Sequence, residues 1–345
     1  MPRGGAHFSS KELVKVLSYY DIGVIEQLTP LTAGSRRAPK MVITSERGKF
    51  LLKRRPKGKD DLYRAAFSHA VQTHLAKKGF SVASLITTSD ENNTILQLNN
   101  HIYELFEFVE GSRYDGSAEA TIDAGRQLAE FHKALADFAG QKELTSGLRR
   151  SFHDASNVRR RLRTVGSEKT SRPNRKLQKI GETLMTLYND SSVCVSGLGF
   201  DSWDEQIVHG DWHPGNMLFA GRKFIAVLDF ASVRIAPPVT DLANGMLQFS
   251  IVGNRPNPAD WPAYLDQAKL VQFLDGYRKL IRLDKYRLCA LLDLMIETMI
   301  AEAVLPIAAT GFFAHLSGYD FLKMIRRKTE WLKKNQKKLT DAISS

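Results

Sequence analysis

The sequence has little cysteine and no long apolar run, and both absences narrow the classes of protein it can encode. Only two cysteines, Cys194 and Cys289, occur in 345 residues, and neither has a cysteine or histidine at metal-ligand spacing. No uncharged apolar stretch reaches about 18 residues, so no transmembrane helix is predicted. The first residues also lack the apolar core of a secretory signal. The reducing cytoplasm is therefore the expected compartment.

Basic side chains outnumber acidic ones, 49 to 37, which gives a formal net charge of +12. This balance is compatible with nucleic acid, an anionic membrane surface or an anionic substrate. Much of the excess lies in residues 149–179 and 323–338, where aromatic residues are sparse. A stacking platform for single-stranded nucleic acid is therefore not predicted. We interpret these segments as solvated faces and do not expect nucleic acid as the main partner, and the oligomeric state is left open.

The stretch 207–230, IVHGDWHPGNMLFAGRKFIAVLDF, carries the residues with the clearest chemistry. His209, Asp211 and Asn216 are spaced as H-x-D-x-x-x-x-N, and Asp229 ends the apolar run FIAVLDF. Phosphoryl transfer from a nucleotide needs a carboxylate to orient the accepting hydroxyl and oxygen ligands for magnesium. Asp211 is therefore the predicted catalytic base, and Asn216 and Asp229 are the predicted metal ligands.

HGDWHPGN followed by LDF resembles the signature of the aminoglycoside phosphotransferase and choline kinase superfamily of small-molecule kinases. The matching positions are His209, Gly210, Asp211, His213, Pro214, Asn216, Asp229, Phe230 and Asp241. The segments LYRAAFSHAVQTHLAKKGF and YELFEFVEG look most like the branch that contains spore-coat kinases and type II homoserine kinases.

The resemblance implies an α+β, protein-kinase-like bilobal fold that uses ATP and Mg²⁺. Residues 1–109 would form a small nucleotide-binding lobe with an antiparallel sheet and a helix. Residues 110–345 would form a larger, mainly helical lobe with the catalytic loop and a helical substrate region.

Several residues of the first lobe would contact the nucleotide phosphates. Lys53, at the end of the strand KFLLK, resembles the strand lysine that holds the α- and β-phosphates in this family. The point charge of a lysine is suited to binding phosphate. The backbone amides of Gly34 and Ser35 would approach the same phosphates. Each feature also has an ordinary interpretation. Lys53 could be a surface lysine at a strand end, and Gly34 and Ser35 could be the tip of an ordinary hairpin.

The strand predicted over 101–109, HIYELFEFV, resembles the segment that binds adenine between the lobes. By that match Phe106 would line the back of the pocket. The carbonyl of Glu107 and the N–H of Val109 would face the adenine edge.

Three further residues are expected to support the catalytic loop rather than react. His209 would hold the loop backbone, and Asp241 would support it through hydrogen bonds from the next helix. For His213 a structural role is favoured, with contact to substrate or phosphate as the alternative.

The helix after the strand lysine lacks a residue that kinases carry there, a glutamate that pairs with the lysine. The corresponding turn reads Phe67-Ser68-His69-Ala70, with Gln72 one turn later. His69 or Gln72 could take over by hydrogen bonding, although a buried structural role is the simpler interpretation of either residue.

These features predict a phosphotransferase that moves the γ-phosphoryl group of Mg-ATP to a hydroxyl of a small molecule. The alternative is a catalytically weak kinase-like scaffold or nucleotide sensor, which the missing helix glutamate favours. A protein kinase is disfavoured, because Pro237-Pro238 leaves no room for an activation loop after Asp229. Glu297 and Glu302 are the acidic candidates on the substrate side.

Overall fold

The computed structural model describes residues 6–31, 38–138, 148–167, 174–253 and 255–344. Within these ranges the α-helices are α1 (Ser10–Leu17), α2 (Leu62–Lys77), α3 (Ala118–Leu135), α4 (Ser156–Thr164), α5 (Arg175–Gly197), α6 (Val239–Ser250), α7 (Gln267–Arg278), α8 (Lys285–Thr310), α9 (Gly318–Lys334) and α10 (Gln336–Ser344). The strands are β1 (Ile25–Pro30), β2 (Lys40–Ser45), β3 (Gly48–Arg54), β4 (Leu85–Ile86), β5 (Leu96–Leu98), β6 (His101–Glu107), β7 (Gln206–Val208), β8 (Met217–Ala220), β9 (Lys223–Val227), β10 (Arg234–Ala236), β11 (Phe312–Phe313) and β12 (Leu316–Ser317).

The chain groups into two compact units, and the first consists of Met1–Tyr114, Asp137–Leu144 and Gly215–Val233. It contains an antiparallel sheet in the order β1-β2-β3-β6-β4, with β5 also paired to β6. Strand β2 alternates buried and half-buried residues, the pattern of a strand with one face in the core. The predicted antiparallel sheet is therefore confirmed.

Apolar residues of α1 and the sheet form the core of this unit. Its buried members are Leu13, Val16, Leu17, Tyr20, Ile22, Met41, Ile43, Phe50, Leu52, Leu96, Tyr103 and Leu105. Helix α1 begins with a capping box, in which the N–H of Glu12 donates to Ser9 Oγ at 3.2 Å and the N–H of Ser9 to Glu12 Oε2 at 3.3 Å. The reciprocal bonds satisfy N–H groups that a helix N-terminus leaves open, so the sequence fixes where α1 starts.

The hairpin β8–β9 also belongs to the first unit, although it lies far along the chain. Its strands pair antiparallel, and the N–H of Ser112 donates to Phe219 O at 2.8 Å. A parallel bridge joins Val82 to Val227. The predicted lobe division at residue 109 remains a prediction.

The second unit consists of Asp115–Ala136, Thr145–Pro214 and Arg234–Ser345 and is mostly helical, as predicted. Helix α8 has buried residues on all of its faces, which is typical of a helix inside a core. It contains Pro306 and is capped by Gly311, whose φ of +80° suits glycine. No helix in the described ranges is long and apolar enough to cross a membrane.

Helices α3 and α7 cross so closely that two glycines are required. A Cβ atom on Gly125 would lie 1.9 Å from Phe273 O, and one on Gly276 would lie 1.9 Å from Ile122 O. Glycine lowers helix propensity, so its presence inside both helices reflects this backbone contact. The crossing sets the place of α3, whose Ala124 carbonyl accepts a bond from the catalytic-loop residue Trp212.

Candidate active site

In the first unit, Lys53 and Asp229 form an ion pair. Lys53 Nζ lies 2.9 Å from Asp229 Oδ1, and the side chains are 11% and 36% exposed. Burial alone would raise the pKa of Asp229, but the charge and hydrogen bond of Lys53 lower it below its usual range, with smaller contributions from Lys59 and Lys40. The carboxylate is therefore ionised and available as a metal ligand at neutral pH.

The β8–β9 hairpin brings Asn216 and Asp229 to the same end of the two strands. Asn216 directly precedes β8, Asp229 follows β9, and Met217 pairs with Val227. Next to this pair the N–H of Leu228 donates to Asn216 O at 2.8 Å. Asp229 has a φ of +59°, a left-handed conformation that is uncommon for a residue other than glycine and is found at functional turns.

The donor set at the hairpin end fits magnesium. One carboxylate and one amide oxygen are hard ligands, and Mg²⁺ commonly takes one or two carboxylates together with waters and substrate phosphates. Across the described residues no group of three or more His, Cys, Asp or Glu side chains could hold a metal. A metal at Asn216 and Asp229 would therefore complete its shell with water and phosphate oxygens.

Lysines around Asp229 make this end of the sheet electropositive. Lys40 faces Lys53 across the β2–β3 ladder. Burial lowers the pKa of Lys40, the charge of Lys53 lowers it further, and Asp229 opposes this effect. Three lysines, counting Lys59, thus act on one carboxylate, and an additional polyanion would be electrostatically favoured there.

The predicted adenine-binding residues lie at the end of β6. Phe106 is half-buried and packs edge-on against His69, with 6.4 Å between the ring centroids. Glu107 is the last residue of the strand, and Val109 lies two residues further on. The N–H of Val109 makes no hydrogen bond within the described part of the chain. Gly34 and Ser35 lie outside the described residues.

The predicted catalytic loop belongs to the second unit as far as Pro214, and Asp241 organises its backbone. The buried carboxylate accepts the N–H of His209 at 2.5 Å and that of Gly210 at 2.8 Å. Burial would raise the pKa of Asp241, but His132, Arg234 and His209 lower it. Asp241 lies in the first turn of α6, whose N-cap is Pro238, and its side chain contacts the loop backbone from there.

Buried aromatic side chains hold the same loop from the other side. The ring of His209 packs against Phe131 at 5.8 Å and Trp212 at 5.5 Å between centroids. Trp212 Nε1 donates to Ala124 O at 3.3 Å. Both loop residues have no exposed surface, so their positions are fixed by the core.

Asp211 itself stays partly exposed between polar neighbours. His213 Nε2 lies 3.5 Å from Asp211 Oδ1, with the two side chains 32% and 36% exposed. Arg234 Nη1 donates to the carbonyl of Gly210 at 3.0 Å. An exposed carboxylate on a rigid loop can accept a proton from a bound hydroxyl.

A second acidic group, Glu302 on α8, acts on this region. Its oxygens accept bonds from Asn244 Nδ2 and Gln248 Nε2, both at 2.8 Å. Burial and the charge of Asp211 raise the pKa of Glu302 to about 7, although Arg234 and the two amides lower it. Glu302 also lines a cavity of about 300 Å³ whose walls include Trp261, Phe313 and Phe321.

One buried acid of the first unit escaped the sequence prediction. Glu104 on β6 is 1% exposed and is bonded to Arg55 and His69. The sequence feature that could have indicated it is a charged residue inside the largely apolar strand HIYELFEFV. Of the two polar helix residues considered for this region, His69 contacts Glu104, whereas Gln72 donates to Ala83 O at 2.8 Å.

An antiparallel sheet with a helix in one unit, and a mostly helical second unit with the loop and hairpin described above, define a protein-kinase-like phosphotransferase fold. The model of the phosphotransferase enzyme family matches residues 27–281, and the chain belongs to this family. The resemblance inferred from HGDWHPGN and LDF is thereby confirmed.

A homoserine kinase from Beijerinckia indica subsp. indica is 25% identical over 228 residues, 65% of this chain and 64% of that protein. The chain thus aligns with less than two thirds of that relative's length.

Solved structures show the same fold. An amicoumacin kinase in complex with AMP-PNP and Ca²⁺ has a TM-score of 0.69 at 15% identity, covering 95% of this chain and 94% of that chain. A microcompartment-associated aminopropanol kinase has a TM-score of 0.67 at 12% identity, with 94% and 97% covered. A spectinomycin phosphotransferase bound to ADP and spectinomycin has a TM-score of 0.64 at 15% identity, with 94% and 99% covered.

Proposed function

We propose that this phosphotransferase is an ATP- and Mg²⁺-dependent kinase that phosphorylates a hydroxyl of a small amino alcohol. The observation that carries the nucleotide half is the Lys53–Asp229 ion pair at the open end of the β8–β9 hairpin. It supports the proposal, because a cation suited to phosphate lies beside a carboxylate suited to a metal. In this proposal residues 1–109 form the nucleotide-binding lobe and residues 110–345 the lobe for catalysis and substrate.

The nucleotide would be held by separate groups of the first unit. Lys53 would contact the α- and β-phosphates, with Gly34 and Ser35 as backbone donors. Phe106, the carbonyl of Glu107 and the unbonded N–H of Val109 would receive adenine. Mg²⁺ held by Asn216 and Asp229 would neutralise phosphate charge when bound.

In the transfer step the acceptor oxygen forms a bond to the γ-phosphorus, and the bond from that phosphorus to the β–γ bridging oxygen breaks. Asp211 orients the acceptor hydroxyl and takes its proton, so the products are the phosphate ester and ADP. Asp241 and His209 take no part in the transfer itself. They hold the loop in the conformation that presents Asp211. Most of the rate enhancement would come from placement and electrostatic stabilisation.

The acceptor's chemical class is proposed from Glu302. This acid has only neutral amide donors within hydrogen-bond distance, since the described ion pairs do not include it. The charge of Asp211 acts on Glu302. In this proposal the two carboxylates receive different groups of one small molecule. An ammonium group at Glu302 and a hydroxyl at Asp211 would satisfy both. Homoserine and aminopropanol, named for two of the similar kinases, each contain an amine and a hydroxyl.

The test is ADP release from Mg-ATP over homoserine, aminopropanol, choline, neutral sugars, sugar acids and aminoglycosides. We expect release with amino alcohols, and we expect Asp211→Asn to reduce kcat at least about 100-fold while ADP still binds. Asp201→Asn removes the same charge from an exposed site of the second unit and should retain full activity.

ADP release that persists in Asp211→Asn would show that Asp211 is not the catalytic base. Release only with sugar acids would contradict the amino-alcohol class. ADP binding without turnover over the whole panel would favour the alternative, a nucleotide-sensing scaffold.

A further inference from the structure

The buried carboxylate of Glu104 has an uneven set of partners. Its Oε1 atom accepts from Arg55 Nε at 2.7 Å and lies 2.8 Å from His69 Nε2. Its Oε2 atom is buried and has no hydrogen-bond partner among the described residues. An unpaired buried acceptor is costly, so such an atom in a native site calls for a ligand or partner in another state.

Glu104 lies where it can reach the phosphate-binding lysine. Lys53 and Glu104 are direct partners in the antiparallel β3–β6 ladder, so their side chains leave the same face of the sheet. Burial would raise the pKa of Glu104, but the hydrogen bond from His69 and the charges of Arg55 and Lys53 lower it to about 2. The carboxylate is thus ionised and already interacts with Lys53.

Two neighbours orient this carboxylate. Arg55 is fixed in turn, since its Nη2 atom donates to Ser68 Oγ at 2.7 Å. His69 is fixed on its far side, where Nδ1 lies 2.8 Å from Thr94 Oγ1. Both Arg55 and His69 are almost fully buried, so Glu104 has little freedom to turn.

Lys53 has two competing acids in this arrangement. Its ammonium group now bonds Asp229, the predicted metal ligand. Use of the Asp229 oxygens by a metal would leave Lys53 with the nucleotide phosphates and Glu104 as its anionic neighbours. The free Oε2 atom of Glu104 offers the missing acceptor.

We propose that Glu104 positions Lys53 for the nucleotide phosphates, so that a strand carboxylate held by His69 and Arg55 replaces the acid absent from α2. The inference rests on the proposed nucleotide site. Glu104 itself touches neither substrate nor metal, and it acts through the lysine.

The experiment compares ADP and adenosine binding by calorimetry in excess Mg²⁺, for the full chain and its variants. Glu104→Gln should weaken ADP binding at least about tenfold and leave adenosine binding unchanged, because only ADP presents phosphates to Lys53. A merely structural loss would weaken both ligands together. In steady-state assays the same variant should raise KM for ATP and not KM for the acceptor.

A rescue variant moves the acid to the helix. His69→Glu combined with Glu104→Gln restores a carboxylate at the position where α2 contacts the strand, and ADP affinity should recover to within about threefold of wild type. If Glu104→Gln alone does not fold, adding Arg55→Met removes the buried cation that the substitution leaves unpaired, and the comparison is repeated on that background.

Two controls separate Glu104 from its surroundings. Tyr20 has a buried hydroxyl without a partner among the described residues, and the Glu104 charge helps to raise its pKa. Tyr20→Phe should leave the ADP-to-adenosine ratio unchanged. Glu12 pairs with Arg54 in the same unit at 2.5 Å, and Glu12→Gln should also leave the ratio unchanged.

An unchanged ratio in Glu104→Gln would overturn the inference alone. An equal loss in Tyr20→Phe would also overturn it, because the hydroxyl would then be the partner that matters. Failure of the wild-type protein to bind ADP would overturn the nucleotide site itself, and the inference with it.

Discussion

Glu302 carries a carboxyl group whose ionisation the fold opposes. Burial and the negative charge of Asp211 raise its pKa from 4.5 to about 7. Between those two values the folded chain binds more protons at this group than the unfolded chain, so stability falls as pH rises through that range. The shift corresponds to at most about 3 kcal/mol in the free energy of unfolding above pH 7.

Replacing Glu302 with a neutral residue should therefore stabilise the fold and weaken acceptor binding. Glu302→Gln should raise the melting temperature by a few degrees at pH 8 and much less at pH 5, where the carboxyl group is already protonated in the folded state. The same variant should raise KM for an amino-alcohol acceptor by about tenfold, since the ammonium loses its counter-charge.

Thermal unfolding at the two pH values and acceptor kinetics test both effects. Glu330→Gln is the control, because Glu330 is exposed on α9. Its Oε1 atom lies 3.7 Å from Arg326 Nε in an i,i+4 surface ion pair. A melting temperature of Glu302→Gln that is equally raised at pH 5 and pH 8 would rule out ionisation as the cause.

Single residues also show what local sequence could and could not predict. Asp211, Asn216 and Asp229 were predictable because their spacing within one loop and hairpin is itself the signal. Their roles stay predictions. Glu104 could not be assigned from its strand alone, because its partner His69 is 35 positions away in the chain.

At the scale of elements, the α3–α7 crossing fixes the position of the α3 carbonyl that binds the predicted catalytic loop. Gly125 and Gly276 allow the two backbones to meet, and Ala124 beside the crossing accepts the Trp212 bond. Ordinary helix propensity favours alanine over glycine by up to about 1 kcal/mol. A Cβ atom 1.9 Å from Phe273 O cannot be accommodated without separating the helices.

Gly125→Ala should therefore destabilise the protein by about 1–3 kcal/mol or more, despite the gain in propensity. Urea unfolding measures the change. Gly197→Ala is the matched control, because Gly197 ends α5 and a Cβ there would meet no atom within 4 Å. The control should be neutral or slightly stabilising, and a similar result for Gly125→Ala would mean that the helices can separate at little cost.

Two details of element ends differ from what local sequence patterns suggest, and both have physical causes. The predicted strand 101–109 stops at Glu107, because the residues beyond leave the β3 ladder. Helix α6 starts at Val239, so Asp241 contributes its side chain to the loop from within the first turn. Neither detail can be read from periodicity, which marks the middle of an element better than its ends.

At the scale of the whole molecule, the net charge of +12 is partly used inside the fold. Arg159, from the basic stretch 149–179, donates to Asn189 Oδ1 at 2.9 Å and lies 5.5 Å from the Tyr188 ring. Lys328 is fully buried and donates to three backbone carbonyls. These two cations therefore contribute to packing inside the fold, and the expectation that nucleic acid is not the main partner stays a prediction.

Nucleotide binding should be visible in the stability of the chain. A ligand that binds only the folded state at 100 times its Kd adds about 2.7 kcal/mol to the free energy of unfolding. Mg-ATP should produce such a gain, and Lys53→Met should remove most of it. Differential scanning calorimetry with and without ligand measures the effect, and an equal gain in Lys53→Met would place the phosphates elsewhere.

The sequence by itself determined the family, the antiparallel sheet with its helix, the mostly helical remainder and the loop with its candidate base and metal ligands. These features depend on neighbours within a few residues, through caps, periodicity and motif spacing. Only the tertiary structure decided that Lys53 pairs with Asp229, that Glu104 is bonded to Arg55 and His69 opposite Lys53, and that Glu302 interacts with Asp211. Each of these is an electrostatic contact between residues distant in sequence, and its strength depends on burial, which the order of residues alone does not give.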